Sequence, residues 1–336
     1  MKAIVCTGPY AIEDERSLQD ATLPDPVAQG RDLLVRVRAV SVNPVDAKVR
    51  RRGKPGDPPK VLGWDAAGVV EATGPDCTLF RPGDAVFYAG SITRPGTDSE
   101  LHAVDERIVG RKPANLSFAE AAALPLTGIT AWEMLFDRLQ LPRGGTAGGT
   151  LLLVGGGGGV GSMAIQLARQ LTGLRVIATA SRPQTREWCL ALGAHDVIDH
   201  HGDWAAQLAP IGAAQVDAVF SITHTDAHWP AIVAAVTPGG RIGLIDDPGP
   251  FDLALAKPKS ISLHWESMFT RSMFQTPDMP AQHALLDEVA GLVERGAVRT
   301  TLDQHYGTIN AANLRHAHAL IESGQSRGKI VLEGFA

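Results

Sequence analysis

The sequence has few cysteines and no excess of positive charge. Its 336 residues include three cysteines, Cys6, Cys77 and Cys189, which lie far apart. An odd number at this spacing provides neither a disulfide framework nor a zinc ribbon, and it is typical of a reducing compartment. The 31 Lys and Arg residues against 36 Asp and Glu give a formal charge of −5. The chain therefore lacks the basic footprint of a nucleic-acid-binding protein.

Long apolar segments are also missing. No stretch approaches the roughly 20 apolar residues that a membrane span requires. The first ten residues, MKAIVCTGPY, lack the apolar core of a signal peptide. We therefore expect a soluble cytoplasmic protein without a membrane or nucleic-acid partner. Its length predicts two domains.

The first hundred residues have the pattern of short β-strands. Residues 32–42, DLLVRVRAVSV, place Val35 and Val37 on one face and Arg36 and Arg38 on the other. Further short runs separated by Gly, Pro and Asp predict a barrel or compact sheet. The chain then changes character. A capping box, Ser117 with Glu120 three residues later, predicts a helix that the proline at 125 should interrupt.

From about residue 150 the pattern is that of an α/β domain. Continuous apolar runs alternate with helical segments, which predicts a parallel sheet buried on both faces. The first run, LLLV, leads into a glycine-rich stretch and an amphipathic helix. In that stretch Gly156, Gly158 and Gly161 match G-x-G-x-x-G. Such glycines permit a tight turn, backbone approach to a pyrophosphate, and close packing of helix on strand.

The position of this motif predicts dinucleotide binding. Free N–H groups and the positive end of the helix dipole favour an anion at the helix start. A flexible linker would not be bracketed by a strand and an amphipathic helix, and no Gly-Lys-Ser/Thr follows, which excludes an ATPase loop. The residues predicted to contact the cofactor here are Gly156, Gly158, Gly159, Val160 and Gly161.

The residues after the second strand of this domain indicate which dinucleotide is bound. NAD enzymes place Asp or Glu about 20 residues beyond the motif, on the ribose hydroxyls. This sequence has Ser181 and Arg182 there, and no acid until Glu187. A carboxylate would repel a 2′-phosphate, whereas Ser181 and Arg182 can donate hydrogen bonds to it. The alternative for Arg182 is a solvated turn residue, and we favour NADPH over NADH.

Two later strands end in polar residues that also bear on the cofactor. Thr223 and His224 close one strand, and Ile245 and Asp246 close the next. Ligands of open α/β sheets bind beyond the carboxyl ends of strands, so we expect all four near the nicotinamide half. His224 is the histidine best placed to donate a proton. A dedicated acid is not required, because a reduced acceptor can take its proton from solvent.

The chain resembles the medium-chain dehydrogenase/reductase superfamily, and within it the quinone oxidoreductase branch and the zinc-type alcohol dehydrogenase-like proteins. The resemblance covers essentially the whole chain and is carried by the glycine run and by the segments VSVNPVDAKVR, LGWDAAGVV, AAALPLTGITAWEML, TASRPQTREW and RGKIVLEGF. It implies a GroES-like β-barrel domain formed by residues 1–126 and 266–336, and a Rossmann domain at 127–265. It also implies a homodimer formed through the sheet edge of the Rossmann domain.

The zinc ligands of the related alcohol dehydrogenases are missing. By resemblance, the ligand positions fall on Asn43, on Trp64, and on Leu126 or Thr127. An indole cannot bind a metal and a lone Asn is a poor zinc ligand. The four-cysteine structural lobe is absent as well, since residues 90–115 contain no cysteine. Without zinc to lower the pKa of an alcohol, oxidation of simple alcohols is disfavoured.

The resemblance therefore implies hydride transfer from NADPH to a quinone or an α,β-unsaturated carbonyl, bound in the cleft between the domains. Five residues are catalytic candidates. Asn43 and Asp46 lie in the segment that faces the nicotinamide, where Asn43 either donates to the acceptor oxygen or forms an Asx turn. Trp64 walls the acceptor pocket or belongs to the barrel core. Tyr88 is a phenol donor or an ordinary strand aromatic, and Thr127 opens a turn that lines the cofactor cleft.

Two other interpretations of the function stay open. The first is an alcohol dehydrogenase with an unrecognised metal site. The second is a non-enzymatic NADPH-binding or sensor protein, because the acceptor side carries no diagnostic catalytic residue. The run DHHGD at residues 199–203 looks like a metal cluster. We expect none there, because successive polar side chains after a strand should project in different directions.

Overall fold

The computed structural model describes residues 1–54, 56–145 and 148–335. The chain forms two compact units, one of Met1–Ile129 with Phe269–Ala336 and one of Thr130–Met268. Among the described residues, every helix is too short or too polar to cross a bilayer.

The strands are β1 Lys2–Cys6, β2 Gln19–Thr22, β3 Asp32–Val42, β4 Lys60–Val61, β5 Asp65–Thr73, β6 Ala85–Ala89, β7 Leu101–Asp105, β8 Val109–Arg111, β9 Thr150–Val154, β10 Arg175–Thr179, β11 Asp196–Ile198, β12 Val216–Ser221, β13 Val236–Leu244, β14 Ser262–Trp265, β15 Leu302–His305 and β16 Lys329–Glu333. The α-helices are α1 Pro44–Arg52, α2 Phe118–Ala122, α3 Pro125–Trp132, α4 Gly159–Leu171, α5 Pro183–Ala191, α6 Trp204–Leu208, α7 Thr225–Ala235, α8 Thr270–Phe274, α9 Pro280–Glu294 and α10 Ala311–Glu322. A π-helical segment at Glu133–Arg138 continues α3.

The first unit is built around β3. A seven-stranded sheet runs in the order β15-β16-β3-β5-β6-β8, with β7 also paired to β3, and a smaller sheet has the order β2-β1-β4. The predicted alternation in β3 is confirmed, because Val35 and Val37 are buried while Arg36 and Arg38 are not. The strand is long enough to pair with β5, β7 and β16, so it connects residues far apart in the sequence.

The helical signals that follow the first sheets are also confirmed. Ser117 and Glu120 form the expected capping box at the start of α2. Pro125 then begins α3, so the proline separates two helices. Proline is tolerated there because the first turn of a helix has no partner for its N–H groups.

The second unit has the predicted parallel sheet. Its six strands run β11-β10-β9-β12-β13-β14, and every pair is parallel. The strand order reverses between β9 and β12, which is the point where doubly wound folds bind ligands. Apolar side chains of β9, β10 and β12 join those of α7 in one core that includes Leu152, Ile177, Val219 and Trp229. The α/β fold class is therefore confirmed, with one mainly antiparallel unit and one parallel unit.

Candidate functional site

The glycine loop connects β9 to α4 and has no room for side chains at its close contacts. Gly155 has φ +90°, a conformation that glycine adopts readily. A Cβ on Gly161 would lie 2.5 Å from the Gly155 oxygen and 2.6 Å from the Gly156 oxygen. The first turn of α4 therefore packs directly on the loop backbone. This is the close helix–strand packing that the motif predicts.

One glycine of the loop is open, while its neighbours are packed. A Cβ on Gly156 would lie 2.7 Å from the Ala178 Cβ, and one on Gly157 would lie 2.0 Å from the Thr185 Cγ2. At Gly158 the nearest atom to such a Cβ is a backbone oxygen 3.9 Å away. Gly158 is also the N-cap of α4. The loop therefore presents open backbone at the helix start, where an anion is stabilised.

Thr179, the last residue of β10, holds the loop in place. Its hydroxyl accepts a hydrogen bond from the Gly155 N–H at 3.0 Å, and its carbonyl accepts one from the Gly156 N–H at 3.1 Å. Sequence reasoning did not identify this role of Thr179. The available signal was a hydroxyl residue at the end of the strand next to the glycine loop.

The two residues predicted to bind the 2′-phosphate, Ser181 and Arg182, lie directly after β10. Ser181 is half-buried, and Arg182 is exposed at the N-cap of α5, with Pro183 in the first turn. Glu187 is exposed further along α5. The segment thus combines a helix N-terminus with a guanidinium and no carboxylate before Glu187. That combination suits a phosphate better than a pair of ribose hydroxyls.

The residues that follow β12 and β13 are connected through Thr225. Asp246 accepts from the Thr225 N–H at 2.9 Å and from its hydroxyl at 2.7 Å, which satisfies the start of α7. His224 is the N-cap of α7 with φ 53°, and its Nδ1 lies 2.8 Å from the Thr223 hydroxyl. Ile245 is half-buried beside Asp246. The Asp246 carboxylate is therefore used to organise α7, a role that sequence reasoning missed.

The second unit thus fits a nicotinamide dinucleotide. Its glycine loop leaves the backbone around Gly158 uncovered by side chains at a helix start, beside the reversal point of a parallel sheet. The residues that would hold the pyrophosphate are those around Gly158, and those that would hold the adenosine ribose are Ser181 and Arg182.

In the first unit, a buried lysine joins the residues expected at the acceptor side. The Lys329 ammonium donates to the Val42 carbonyl at 2.9 Å, to Asp65 Oδ2 at 3.0 Å, and to Asn43 Oδ1. The Asn43 amide donates to Asp65 Oδ2 at 2.8 Å and to the Ser41 carbonyl at 3.2 Å. Asn43, Asp65 and Lys329 are each no more than 3 % exposed. Both amide hydrogens of Asn43 are used within this network.

The second oxygen of Asp65 connects the network to α3. Asp65 Oδ1 accepts from the Leu126 N–H at 2.7 Å. Thr127, the next residue, is buried and its hydroxyl donates to the Leu124 carbonyl at 3.2 Å. The sequence analysis did not identify Lys329 as a site residue. The sequence feature that could have identified it is a lysine at the start of the otherwise apolar strand segment KIVL.

Asp46 adds an unusual acid to this network. Its Oδ2 accepts from the Asn43 N–H at 2.7 Å in a capping box of α1. Its Oδ1 is buried without a hydrogen-bond partner among the described residues. Burial raises the pKa of Asp46 to about 7, and the charge of Asp65 acts in the same direction. Burial also raises the pKa of Asp98 well above its usual range, and Asp46 contributes to that rise.

Trp64 and Tyr88 lie in the core of the first unit with their polar atoms engaged. The Trp64 indole donates to the Ser91 carbonyl at 3.1 Å. The Tyr88 hydroxyl lies 3.1 Å from His102 Nδ1, and the two rings stack at 5.5 Å. His102 Nε2 faces the Pro95 carbonyl at 3.0 Å, so it carries the hydrogen and Nδ1 accepts from Tyr88. Burial lowers the pKa of His102 to about 4 and raises that of Tyr88.

The donor set of the first unit does not fit a catalytic zinc ion. The Trp64 nitrogen can only donate, and the Asn43 and Asp65 oxygens already receive the Lys329 ammonium. A divalent cation in contact with these oxygens would meet a buried positive charge at hydrogen-bond distance. The Lys329 ammonium already compensates the Asp65 carboxylate, so these oxygens are not free to bind a metal ion.

Comparison with known proteins agrees with the fold. Residues 29–131 match the alcohol dehydrogenase GroES-like domain, and residues 192–332 match the zinc-binding dehydrogenase family. The chain is 40 % identical over 338 residues to a zinc-type alcohol dehydrogenase-like protein of Staphylococcus aureus strain Mu50, covering 99 % of both chains. It is 32 % identical over 310 residues to a quinone oxidoreductase of Pseudomonas aeruginosa PAO1, covering 90 % of this chain and 91 % of the relative.

One solved structure has a higher sequence identity to this chain than these two relatives have. A Rhizobium etli CFN 42 protein, provisionally described as a zinc-dependent alcohol dehydrogenase, is 58 % identical with a TM-score of 0.97. The match covers 100 % of this chain and 98 % of that one. The predicted resemblance is confirmed: the chain belongs to the medium-chain dehydrogenase/reductase superfamily, whose members use nicotinamide cofactors, and it is an oxidoreductase related to the zinc-type alcohol dehydrogenase-like proteins and the quinone oxidoreductases.

Proposed function

We propose that this protein is a cytoplasmic, zinc-independent, NADPH-dependent reductase that transfers hydride to a quinone or an α,β-unsaturated carbonyl. The observation that carries the proposal is the network of Lys329, Asp65 and Asn43, whose donors and acceptors do not suit a zinc ion. Oxidation of an alcohol near neutral pH needs a metal ion that lowers the alcohol pKa or a general base that takes its proton. A quinone or enone is already electrophilic and accepts hydride without one.

The preference for NADPH rests on the segment after β10. A bound nicotinamide cofactor supplies the hydride, and its adenosine end decides between the two forms. Ser181 and Arg182 offer a hydroxyl and a guanidinium at the N-terminus of α5, without a carboxylate. A 2′-phosphate gains charged hydrogen bonds from this arrangement, whereas a plain ribose gains little.

In this proposal the first unit provides a buried polar network without net charge at the binding site of the hydride acceptor. The charges of Lys329 and Asp65 offset each other, and burial raises the pKa of Asp46 to about 7, so this acid is largely protonated just below neutral pH. Asn43 bridges Lys329 and Asp65, so its role in the proposal is to position this network, with its amide hydrogens already engaged. A neutral network can stay buried without the desolvation cost of an unpaired charge.

One experiment tests the substrate class. Initial rates are measured for reduction of a reactive ortho-quinone and a simple enone with NADPH, and for oxidation of a primary alcohol with NADP⁺. The proposal expects turnover of the quinone or the enone and none of the alcohol. Alcohol oxidation faster than quinone and enone reduction would contradict it.

A second candidate function is NADPH binding without turnover. It is favoured by one observation: the polar atoms of Asn43, Trp64 and Tyr88 all have partners inside the first unit. The two candidates separate when NADPH affinity and turnover are measured on the same preparation. Tight NADPH binding without turnover of any acceptor in a panel of quinones and enones would favour this candidate.

The proposal also includes a homodimer formed through an edge of the parallel sheet. Within the described parts of the chain, β14 pairs with β13 alone, so its other side is an unpaired edge there. Trp265, at the end of this strand, is 57 % exposed. An exposed strand edge with a large apolar residue favours pairing with another chain. Light scattering after size-exclusion chromatography should give twice the 35.5 kDa chain mass.

A further inference from the structure

A cluster of histidines lies after β11 in the second unit. Asp199, His200 and His201 follow the strand directly, and each offers one ligand atom within 4.8 Å of the other two. His228, on α7, faces the same place, with its ring 5.7 Å from that of His200. The expectation that these successive side chains project in different directions is therefore wrong. The loop turns back on itself and brings them together.

Hydrogen bonds hold the backbone of this loop. The Asp199 N–H donates to Gln207 Oε1 at 2.7 Å, and Gln207 Nε2 donates back to the Asp199 carbonyl at 2.9 Å. The Trp204 indole donates to the His200 carbonyl at 3.2 Å. The His201 N–H donates to Asp199 Oδ1 at 2.9 Å. Much of the ordering that a ligand would otherwise impose is thus already present.

The side chains have the chemistry of transition-metal ligands. The rings of His200 and His201 lie 4.3 Å apart with a 57° angle between their planes. A neutral imidazole carries a lone pair on one ring nitrogen, and it binds such metals through that atom. Asp199 keeps a second carboxylate oxygen beside the one that receives the His201 N–H. Imidazoles with one carboxylate suit zinc, cobalt, nickel and copper rather than magnesium or calcium.

We propose that Asp199, His200 and His201 bind one divalent transition-metal ion of the zinc, cobalt, nickel and copper class. Ligand atoms about 2.1 Å from a tetrahedral ion lie roughly 3.4 Å apart. The three atoms, which lie within 4.8 Å of one another, must therefore approach by up to about 1.4 Å. His201 is exposed and Asp199 half-buried, so these two side chains have room to rotate toward a shared ion. This site is separate from the Lys329 network and takes no part in the proposed hydride transfer.

Co²⁺ is the probe that tests the proposal, because a protein-bound ion has visible absorption that reports its ligands. The full-length protein is titrated with Co²⁺, and the absorbance is followed to saturation. The matched variants are His200→Gln, His201→Gln and, as the control, His316→Gln, an exposed histidine on α10. Circular dichroism checks that each variant is folded.

The proposal expects one equivalent of Co²⁺ in the wild type and in His316→Gln. Loss of a ligand should weaken binding by about tenfold or more in His200→Gln and His201→Gln, since even outer-shell changes cost that much. Zn²⁺ should displace Co²⁺ from the same site. Absence of saturable absorption in the wild type would overturn the proposal. So would an unchanged titration in folded His201→Gln, the variant whose exposed side chain is least needed for folding.

Discussion

Lys329 is the residue on which the polar core of the first unit depends. It is 3 % exposed, and its ammonium satisfies acceptors on β3, at the residue that follows β3, and on β5. A buried ion pair of this kind gains little over apolar packing, but removal of one partner leaves the other charge uncompensated. The sequence motif that contains Lys329 marked the family without revealing this role.

Replacement of Lys329 by methionine should therefore destabilise the protein strongly. Asp65 keeps its charge in a buried place and loses its counterion, which costs about 3–5 kcal/mol. Urea unfolding at pH 7 measures the free energy of unfolding. Lys54→Met, at an exposed lysine of the first unit, is the control and should stay within about 0.5 kcal/mol of the wild type. Similar unfolding midpoints for Lys329→Met and Lys54→Met would contradict the role of the ammonium.

Asp46 should make stability depend on pH below neutrality. Its folded pKa of about 7 lies above the ordinary value of 3.8 for an aspartate, so the unfolded chain releases this proton first as the pH rises. The contribution of Asp46 to stability is full below pH 4 and is lost as the pH rises through 7, with a slope of up to about 1.4 kcal/mol per pH unit. Asp46→Asn should remove that slope.

The test of this pH effect is urea unfolding of the wild type and Asp46→Asn at several pH values from 4 to 8. Asp76→Asn, at an exposed aspartate of the same unit, serves as the control and should keep the wild-type dependence. If Asp46→Asn and the wild type differed by the same free energy at every pH, Asp46 would not be the buried acid described here.

Arg182 should decide the choice of cofactor. A charged hydrogen bond to a 2′-phosphate contributes about 1.5–3 kcal/mol, so Arg182→Ala should lower kcat/KM for NADPH by about 10–100-fold and leave that for NADH nearly unchanged. The control is Arg299→Ala, at an exposed arginine of the first unit. An equal loss for both cofactors would show that Arg182 does not recognise the phosphate.

At the scale of elements, the sequence predicted the strands, helices and turns whose conformation depends on neighbouring residues. The alternation of β3, the capping box of α2, the start of α3 at Pro125 and the glycine loop all follow from neighbouring residues. The Lys329–Asn43 contact joins residues 286 positions apart, and no local pattern encodes it. The Asp199–His201 loop was misjudged because its turn depends on Gln207, which closes the loop from α6.

The glycine loop allows stability and cofactor binding to be separated. Gly161→Ala places a Cβ 2.5 Å from a backbone oxygen and should cost about 1–3 kcal/mol of stability. Gly158→Ala meets its nearest atom at 3.9 Å and has φ −80°, so it should fold with nearly wild-type stability. Its methyl group would still occupy the open backbone where the pyrophosphate approaches, and NADPH binding should fall by tenfold or more.

Thermal unfolding and NADPH fluorescence titration measure the two effects on the same samples. Wild-type NADPH affinity in Gly158→Ala would mean that the pyrophosphate lies elsewhere. Wild-type stability in Gly161→Ala would mean that α4 does not pack on the loop as described.

At the scale of the whole molecule, sequence reasoning identified the family and the fold class. Those conclusions rest on motifs that a single sequence displays, such as the glycine run that ends at Gly161, whereas the absence of zinc at Asn43 and Trp64 stays a prediction. The network of Asn43, Asp65 and Lys329 was not predictable, because it depends on how β3, β5 and β16 bring these residues together in three dimensions. The central proposal is therefore that this network does not hold a metal ion, and that reduction proceeds without one.

The measurement that tests this claim most directly follows NADPH and NADH oxidation in parallel, by absorbance, with one reactive ortho-quinone. The protein is compared before and after chelator treatment, and again after Zn²⁺ is added back. The account predicts fast oxidation of NADPH, slow oxidation of NADH, and equal rates in all three preparations. Quinone reduction that disappears with the chelator and returns with Zn²⁺ would contradict it.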